Sequence, residues 1–125
     1  MKYLTKAEEQ IMQVLWKLKK GYVRDILDEL PLPKPAYNTV STIIRILEKK
    51  SFVGYVAYGK AHEYFPLVDK RVYRKRYFKG FVQNYFGSSY KALTSFFANE
   101  EDLSLSELEE LRRLLDKEII RKKKK

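Results

Sequence analysis

Apolar residues at Ala7, Ile11, Val14, Leu15 and Leu18 recur at helical spacing, which predicts an amphipathic helix over Thr5 to Leu18. Thr5 and Glu8 form a TxxE capping box: the hydroxyl accepts from the third helical N–H, and the carboxylate reaches back to the cap N–H. Gly21 ends that helix. Tyr22 to Leu30 predicts a second, short one with Val23, Ile26, Leu27 and Leu30 facing inward, and Pro31, Pro33 and Pro35 prevent its continuation. A third helix, Tyr37 to Lys50, sorts its residues by side. Ala36, Val40, Ile43 and Leu47 share the inward side, and Asn38, Ser41, Thr42, Arg45 and Lys49 occupy an arc of about 100° opposite. That outer face is uncharged and hydrogen-bonding near its start and cationic further on, as base edges flanked by phosphates require. A surface helix with no binding role also has a polar face, so this pattern in isolation leaves both readings open.

Two short runs rich in Val, Tyr and Phe follow, Phe52 to Tyr58 and Ala61 to Phe65, separated by Gly59 and Lys60; they predict a β-hairpin. Three helices and a hairpin are the element order of a winged helix, with Lys60 at the wing tip placed for a phosphate. His62 reads as a strand residue and not as a ligand or base.

Beyond Pro66 the pattern changes. Asp69 to Phe86 predicts a helix on which Lys70, Arg71, Arg74, Lys75, Arg76 and Lys79 alternate with aromatics including Tyr73, Tyr77 and Phe81. Its apolar arc is wider than one small domain needs, which points to coverage by a second chain, with packing on helices of its own chain as the alternative. Gly87 to Ser89 breaks it, and Tyr90 to Ala98 forms a shorter helix. A second capping box, Ser104 with Glu107, starts a last helix whose Leu108, Leu111, Leu115 and Ile119 form one stripe; burial between two chains would satisfy it. The closing RKKKK reads as a frayed, solvated tail. The expected fold is mainly α with a small β-hairpin: a winged helix-turn-helix domain over residues 1–67 and a helical dimerisation domain over 68–125.

The 125 residues carry a net charge of +10, of which residues 1–66 hold +4 and 67–125 hold +6. With 45% hydrophobic residues the charge sits on a folded body, and a polyanion is the expected partner. The absence of cysteine removes disulfides, thiolate metal sites and cysteine nucleophiles, and a single His cannot build a His-rich metal site. No cofactor is expected. No glycine loop or HExxH is present, and Glu8/Glu9, Asp28/Glu29, Glu100 to Asp102 and Glu109/Glu110 fall at helix starts or on solvent faces. The chain therefore reads as a cytoplasmic binding module, not an enzyme, with no direct membrane binding. Two other readings stay open at this point: a winged-helix module for protein contacts, and an RNA or single-strand binder using Tyr73, Tyr77 and Phe81.

Four segments carry a family resemblance: LTKAEEQIMQVLW, YNTVSTIIRILEKK, YGKAHEYFPLV and FFANEEDLSLSELEELRRLLD. In this order, from about Leu4 to Asp116, the chain resembles the penicillinase and methicillin-resistance repressor family. The resemblance implies a homodimeric repressor of transcription, with a winged-helix domain and an intertwined helical domain, that binds double-stranded DNA at inverted-repeat operators. It places the major-groove positions on Tyr37, Asn38, Thr39, Ser41, Thr42 and Arg45, and the wing on Lys60 to Tyr64. Ser41 departs from relatives that have a basic residue there. The resemblance further implies induction by a membrane-bound sensor metallopeptidase that cuts an Asn-Phe bond in the dimerisation domain. Phe96-Phe97 stands at the matching place without the Asn. The family's copper-responsive branch uses C-terminal cysteines, which this chain lacks.

Overall fold

The computed structural model describes residues 3–100 and 102–125. Its elements run α1 (Lys6–Leu18), α2 (Val23–Glu29), α3 (Tyr37–Lys49), β1 (Val53–Tyr58), β2 (Ala61–Pro66), α4 (Lys70–Phe86), α5 (Tyr90–Glu100) and α6 (Leu105–Lys123). The chain divides into two compact units, Met1–Tyr77 and Phe78–Lys125, so the division falls inside α4.

The first unit is a winged helix. Thr5 caps α1 as its sequence predicts: the Glu8 N–H donates to Thr5 Oγ1 at 3.2 Å, and Thr5 N–H donates to Glu8 Oε1 at 2.9 Å. The Lys34 ammonium closes the far end of α2 by donating to the carbonyls of Leu27, Asp28 and Leu30 at 3.1, 2.7 and 2.9 Å. These are the carbonyls a helix end leaves unpaired. β1 and β2 pair antiparallel from Val53 opposite Pro66 to Tyr58 opposite Ala61. The two-residue connection between them places Gly59 at φ +64°, a conformation that favours glycine. Gly21 and Tyr64 exchange both backbone hydrogen bonds, at 2.9 and 2.8 Å, and so fasten the start of α2 to the wing.

Ile11, Met12, Leu15, Ile26, Val40, Ile44, Leu47, Phe52 and Val53 are fully enclosed between the three helices and the hairpin. The helical frames are rotated slightly from those the sequence suggested. Ala7 and Ala36 are exposed, Met12 and Ile44 are buried in their place, and Ile43 and Val14 are half-buried. A methyl group gains little from burial, so the larger neighbouring side chains set the rotation.

Glu8, expected on a helix start or a solvent face, is at a helix start but is 4% exposed. Both its carboxylate oxygens accept from Lys50 Nζ, at 2.8 and 2.9 Å. Burial alone would raise its pKa. The Lys50 hydrogen bond, the Thr5 backbone N–H and the lysine charge outweigh that and hold it below the ordinary value of 4.5.

Tyr73, expected at a chain-to-chain contact, belongs instead to the core of the first unit. It is 4% exposed, and its ring lies 5.7 Å from Phe52 and 5.9 Å from Trp16. Its hydroxyl accepts from the Leu4 N–H at 2.9 Å. Trp16 Nε1 donates to the Val68 carbonyl at 2.8 Å and anchors the same segment. A large ring whose polar tip is also paired has no surface left to offer a second chain.

In the second unit, Phe78 stacks on Phe81 at 6.2 Å, and Phe86 meets Phe96 edge-on at 5.6 Å. Val82 and Leu93 are buried. Ser104 and Glu107 form the expected capping box on α6. The helix does not fray at the basic run: it continues to Lys123, and Arg121 pairs with Glu118 at 2.7 Å one turn earlier. The unpaired carbonyls of the last turn favour the cations gathered there.

Candidate nucleic-acid interface

On the first unit, α3, the wing and the start of α2 border one open cleft. Tyr37, Ser41, Arg45, Glu48 and Lys49 line it from α3. Tyr55, Lys60, Ala61, His62 and Tyr64 contribute from the hairpin, and Tyr22, Val23 and Arg24 from α2. Of the residues singled out by sequence, the cleft therefore unites Tyr37, Ser41, Arg45, Lys49 and Lys60.

The others stand elsewhere on the same helix. Asn38 and Thr42 are exposed, and Thr42 Oγ1 donates to the Asn38 carbonyl at 2.9 Å, which leaves the hydroxyl oxygen free to accept. Thr39 is exposed and borders a separate groove lined by Pro31, Leu32, Pro33, Pro35 and Ile43.

Several cleft residues come from outside the α3 pattern. Arg24 holds its guanidinium 5.7 Å from the centre of the Tyr37 ring, a cation–π arrangement that fixes a charge beside the start of α3. Tyr55 and His62, directly cross-strand neighbours of Tyr64 and Ala57 respectively, stack their rings at 4.1 Å and 7°. Their alternation along the hairpin could have marked one shared face. No linear pattern marks Arg24, because it reaches the cleft only through the Gly21–Tyr64 bridge.

Burial raises the pKa of the Tyr64 phenol above its ordinary value of 10.0, and the Glu48 charge adds to this while Arg45 opposes it. The floor of the cleft is thus neutral and hydrogen-bonding, and cations border it. Fixed positive charge around groups that can donate and accept is suited to a polyanion whose base edges also present donors and acceptors. Among the described residues, no cluster of three His, Cys, Asp or Glu side chains could hold a metal ion. No helix among them is long and apolar enough to cross a membrane.

The dimerisation candidates apart from Tyr73 are exposed. On α4, Tyr77 packs edge-on against Tyr3 at 5.8 Å with much of its ring outward, and Phe81 is at the surface. On α6, Leu108, Leu111, Leu115 and Ile119 are all exposed, and no residue of that helix is buried. Phe96 and Phe97 are exposed on α5, with the bond between them inside the helix.

The chain is 30% identical over 115 residues to the methicillin resistance regulatory protein MecI of Staphylococcus aureus (strain N315), covering 91% of this chain and 94% of that one. It is 24% identical over 121 residues to the penicillinase repressor of Bacillus licheniformis, covering 96% and 94%. Among solved structures it is similar to Bordetella bronchiseptica BpsR, whose DNA binding is regulated by 6-hydroxynicotinic acid. That likeness has a TM-score of 0.48 and 17% identity, over 91% of this chain and 74% of the other. The family model described as penicillinase repressor matches residues 4–117. The chain belongs to the penicillinase repressor family, whose members are DNA-binding transcriptional repressors and not enzymes.

Proposed function

We infer that this repressor acts in the cytoplasm as a homodimer on an inverted-repeat operator, one winged helix per half-site, and is released by proteolysis under a membrane-bound sensor metallopeptidase. The observation that carries the DNA reading is the cleft in which the outer face of α3 and the wing meet. In this reading Tyr37, Asn38, Thr39, Ser41, Thr42 and Arg45 face the major groove, while Lys49 and Lys60 neutralise phosphates. The two α3 helices of the dimer occupy successive major grooves about 34 Å apart.

Dimerisation rests on the exposed stripe of Leu108, Leu111, Leu115 and Ile119, with Tyr77 and Phe81 of α4 beside it in role. Each such side chain contributes roughly 1.5–3 kcal/mol when fully buried, and a helix with none buried leaves that stabilisation to a partner copy. Cleavage between Phe96 and Phe97 requires α5 to unwind locally, since the bond lies inside a helix.

Fluorescence anisotropy with duplex DNA tests the interface. Neutralising 6–10 phosphates makes affinity fall by about 10³–10⁵ between 50 and 200 mM salt, and a nearly flat response overturns the reading. Exposure to the cognate sensor peptidase tests the induction step. A cut at Phe96/Phe97 supports it, and an intact chain or a cut elsewhere overturns it.

A further inference from the structure

Four basic side chains border the cleft, Arg24, Arg45, Lys49 and Lys60, and with them stands a single carboxylate, Glu48. It sits in the last turn of α3, three residues after Arg45 and next to Lys49, exposed to solvent. Neither neighbour neutralises it. The ion pairs among the described residues are Lys17–Glu29, Lys50–Glu8 and Arg121–Glu118, so no cation approaches Glu48 within 4.0 Å. Its charge is nevertheless felt at the cleft floor, where it disfavours ionisation of Tyr64.

A free carboxylate in a surface built for phosphates weakens binding to every duplex by like-charge repulsion. Only a donor offsets that cost. In the major groove the donors are the exocyclic amino groups, N4 of cytosine and N6 of adenine, whereas guanine O6 and N7 and thymine O4 present acceptors that repel it. Discrimination arises as much from the penalty on wrong sequences as from the contact with the right one.

We propose that Glu48 is a specificity-determining residue of the DNA-reading cleft: it accepts a hydrogen bond from the exocyclic amino group of a cytosine or adenine and repels duplexes that present an acceptor there. This rests on the operator reading above. The outer-face pattern of α3 omits Glu48, because it lies at the edge of the arc and only the wing turns that edge into a wall of the cleft.

The test selects duplexes from a random 30-base-pair pool with the wild-type protein and with Glu48→Ala, then measures anisotropy on the wild-type-selected duplex and on the unselected pool at one salt concentration. Glu48 is exposed, so the variant keeps its fold, which circular dichroism verifies. The proposal expects Glu48→Ala to bind the pool more tightly and the selected duplex more weakly, shrinking the ratio by roughly 5- to 150-fold. One position enriched in C or A by the wild type becomes degenerate in the variant. Placing each of the four bases at that position distinguishes a cytosine contact from an adenine contact. Equal gains on both DNAs, or an unchanged selection profile, reduce Glu48 to a general electrostatic brake and overturn the proposal while leaving the operator reading intact. A wild-type protein that enriches no duplex overturns the operator reading, and this proposal with it.

Discussion

In the first unit Phe52, Ile44 and Leu47 are closed off by three helices and a hairpin, whereas in the second Leu111, Leu115 and Ile119 face solvent along the whole of α6. Of the buried apolar residues among those described, only Val82 and Leu93 belong to the second unit. Both units contain well-capped amphipathic helices, so helix quality does not separate them. What separates them is whether the chain brings a second layer to each apolar face. The winged helix has that layer in the hairpin and in Tyr73. The helical unit presents its stripe unpaired, which is the pattern of an interface cut in half. A head with a closed core and a helical unit with an uncovered stripe are what the proposed dimeric repressor would require.

The largest effect is expected in the head. Phe52→Ala empties space between α3, the hairpin and the Tyr73 ring, and should lower the unfolding free energy by about 3–5 kcal/mol whatever the protein concentration. Denaturant titration at two concentrations measures this. A loss that changes with concentration would place the head's stability in an interface.

Glu8→Ala comes next. It removes a charged acceptor of Lys50 and half of a capping box, at an expected cost of about 1.5–3 kcal/mol. Because the folded pKa of Glu8 lies below 4.5, the carboxylate's contribution is fully present above that pH and is lost as pH falls through the folded value. Wild type and Glu8→Ala should therefore converge in stability in acid. A constant gap from neutral pH down to the acid limb would show that charge is irrelevant there.

The smaller expected effects concern reading and leave the fold alone. Arg45→Ala and Asn38→Ala should each reduce discrimination between operator and random DNA by about 1–3 kcal/mol, with unfolding curves unchanged. Equal losses on both DNAs would reassign these side chains to the backbone. Arg24→Ala should weaken both DNAs alike and lower the salt slope by about 1, since its guanidinium beside Tyr37 is placed for a phosphate.

Much of the fold is legible in the chain because its signals are local. TxxE and SxxE mark the starts of α1 and α6, the prolines after Leu30 end α2, and Gly59 with Lys60 marks the hairpin turn. The rotation of α3 is less legible: Ile44 and not Ala36 is buried, because the larger side chain gains more from burial than a methyl group. The place of Tyr73 in the core is the least legible, since a helix with aromatics on every side does not reveal which of them meets Phe52 and Trp16. Of the cleft, the α3 half and Lys60 are visible in the sequence. Arg24 and Tyr55 join the cleft through the Gly21–Tyr64 bridge and the hairpin pairing, and Glu48 stands at the edge of the outer arc, where the α3 pattern alone leaves it out.

Sedimentation equilibrium of the full chain, alongside a variant with Leu111→Glu and Leu115→Glu, decides whether the exposed stripe of α6 joins two chains. Wild-type protein should sediment at twice the 14.9 kDa chain mass and the variant at a single chain mass with its winged helix still folded. A wild-type chain that stays monomeric, or a variant that stays dimeric, would contradict a dimer joined through that stripe.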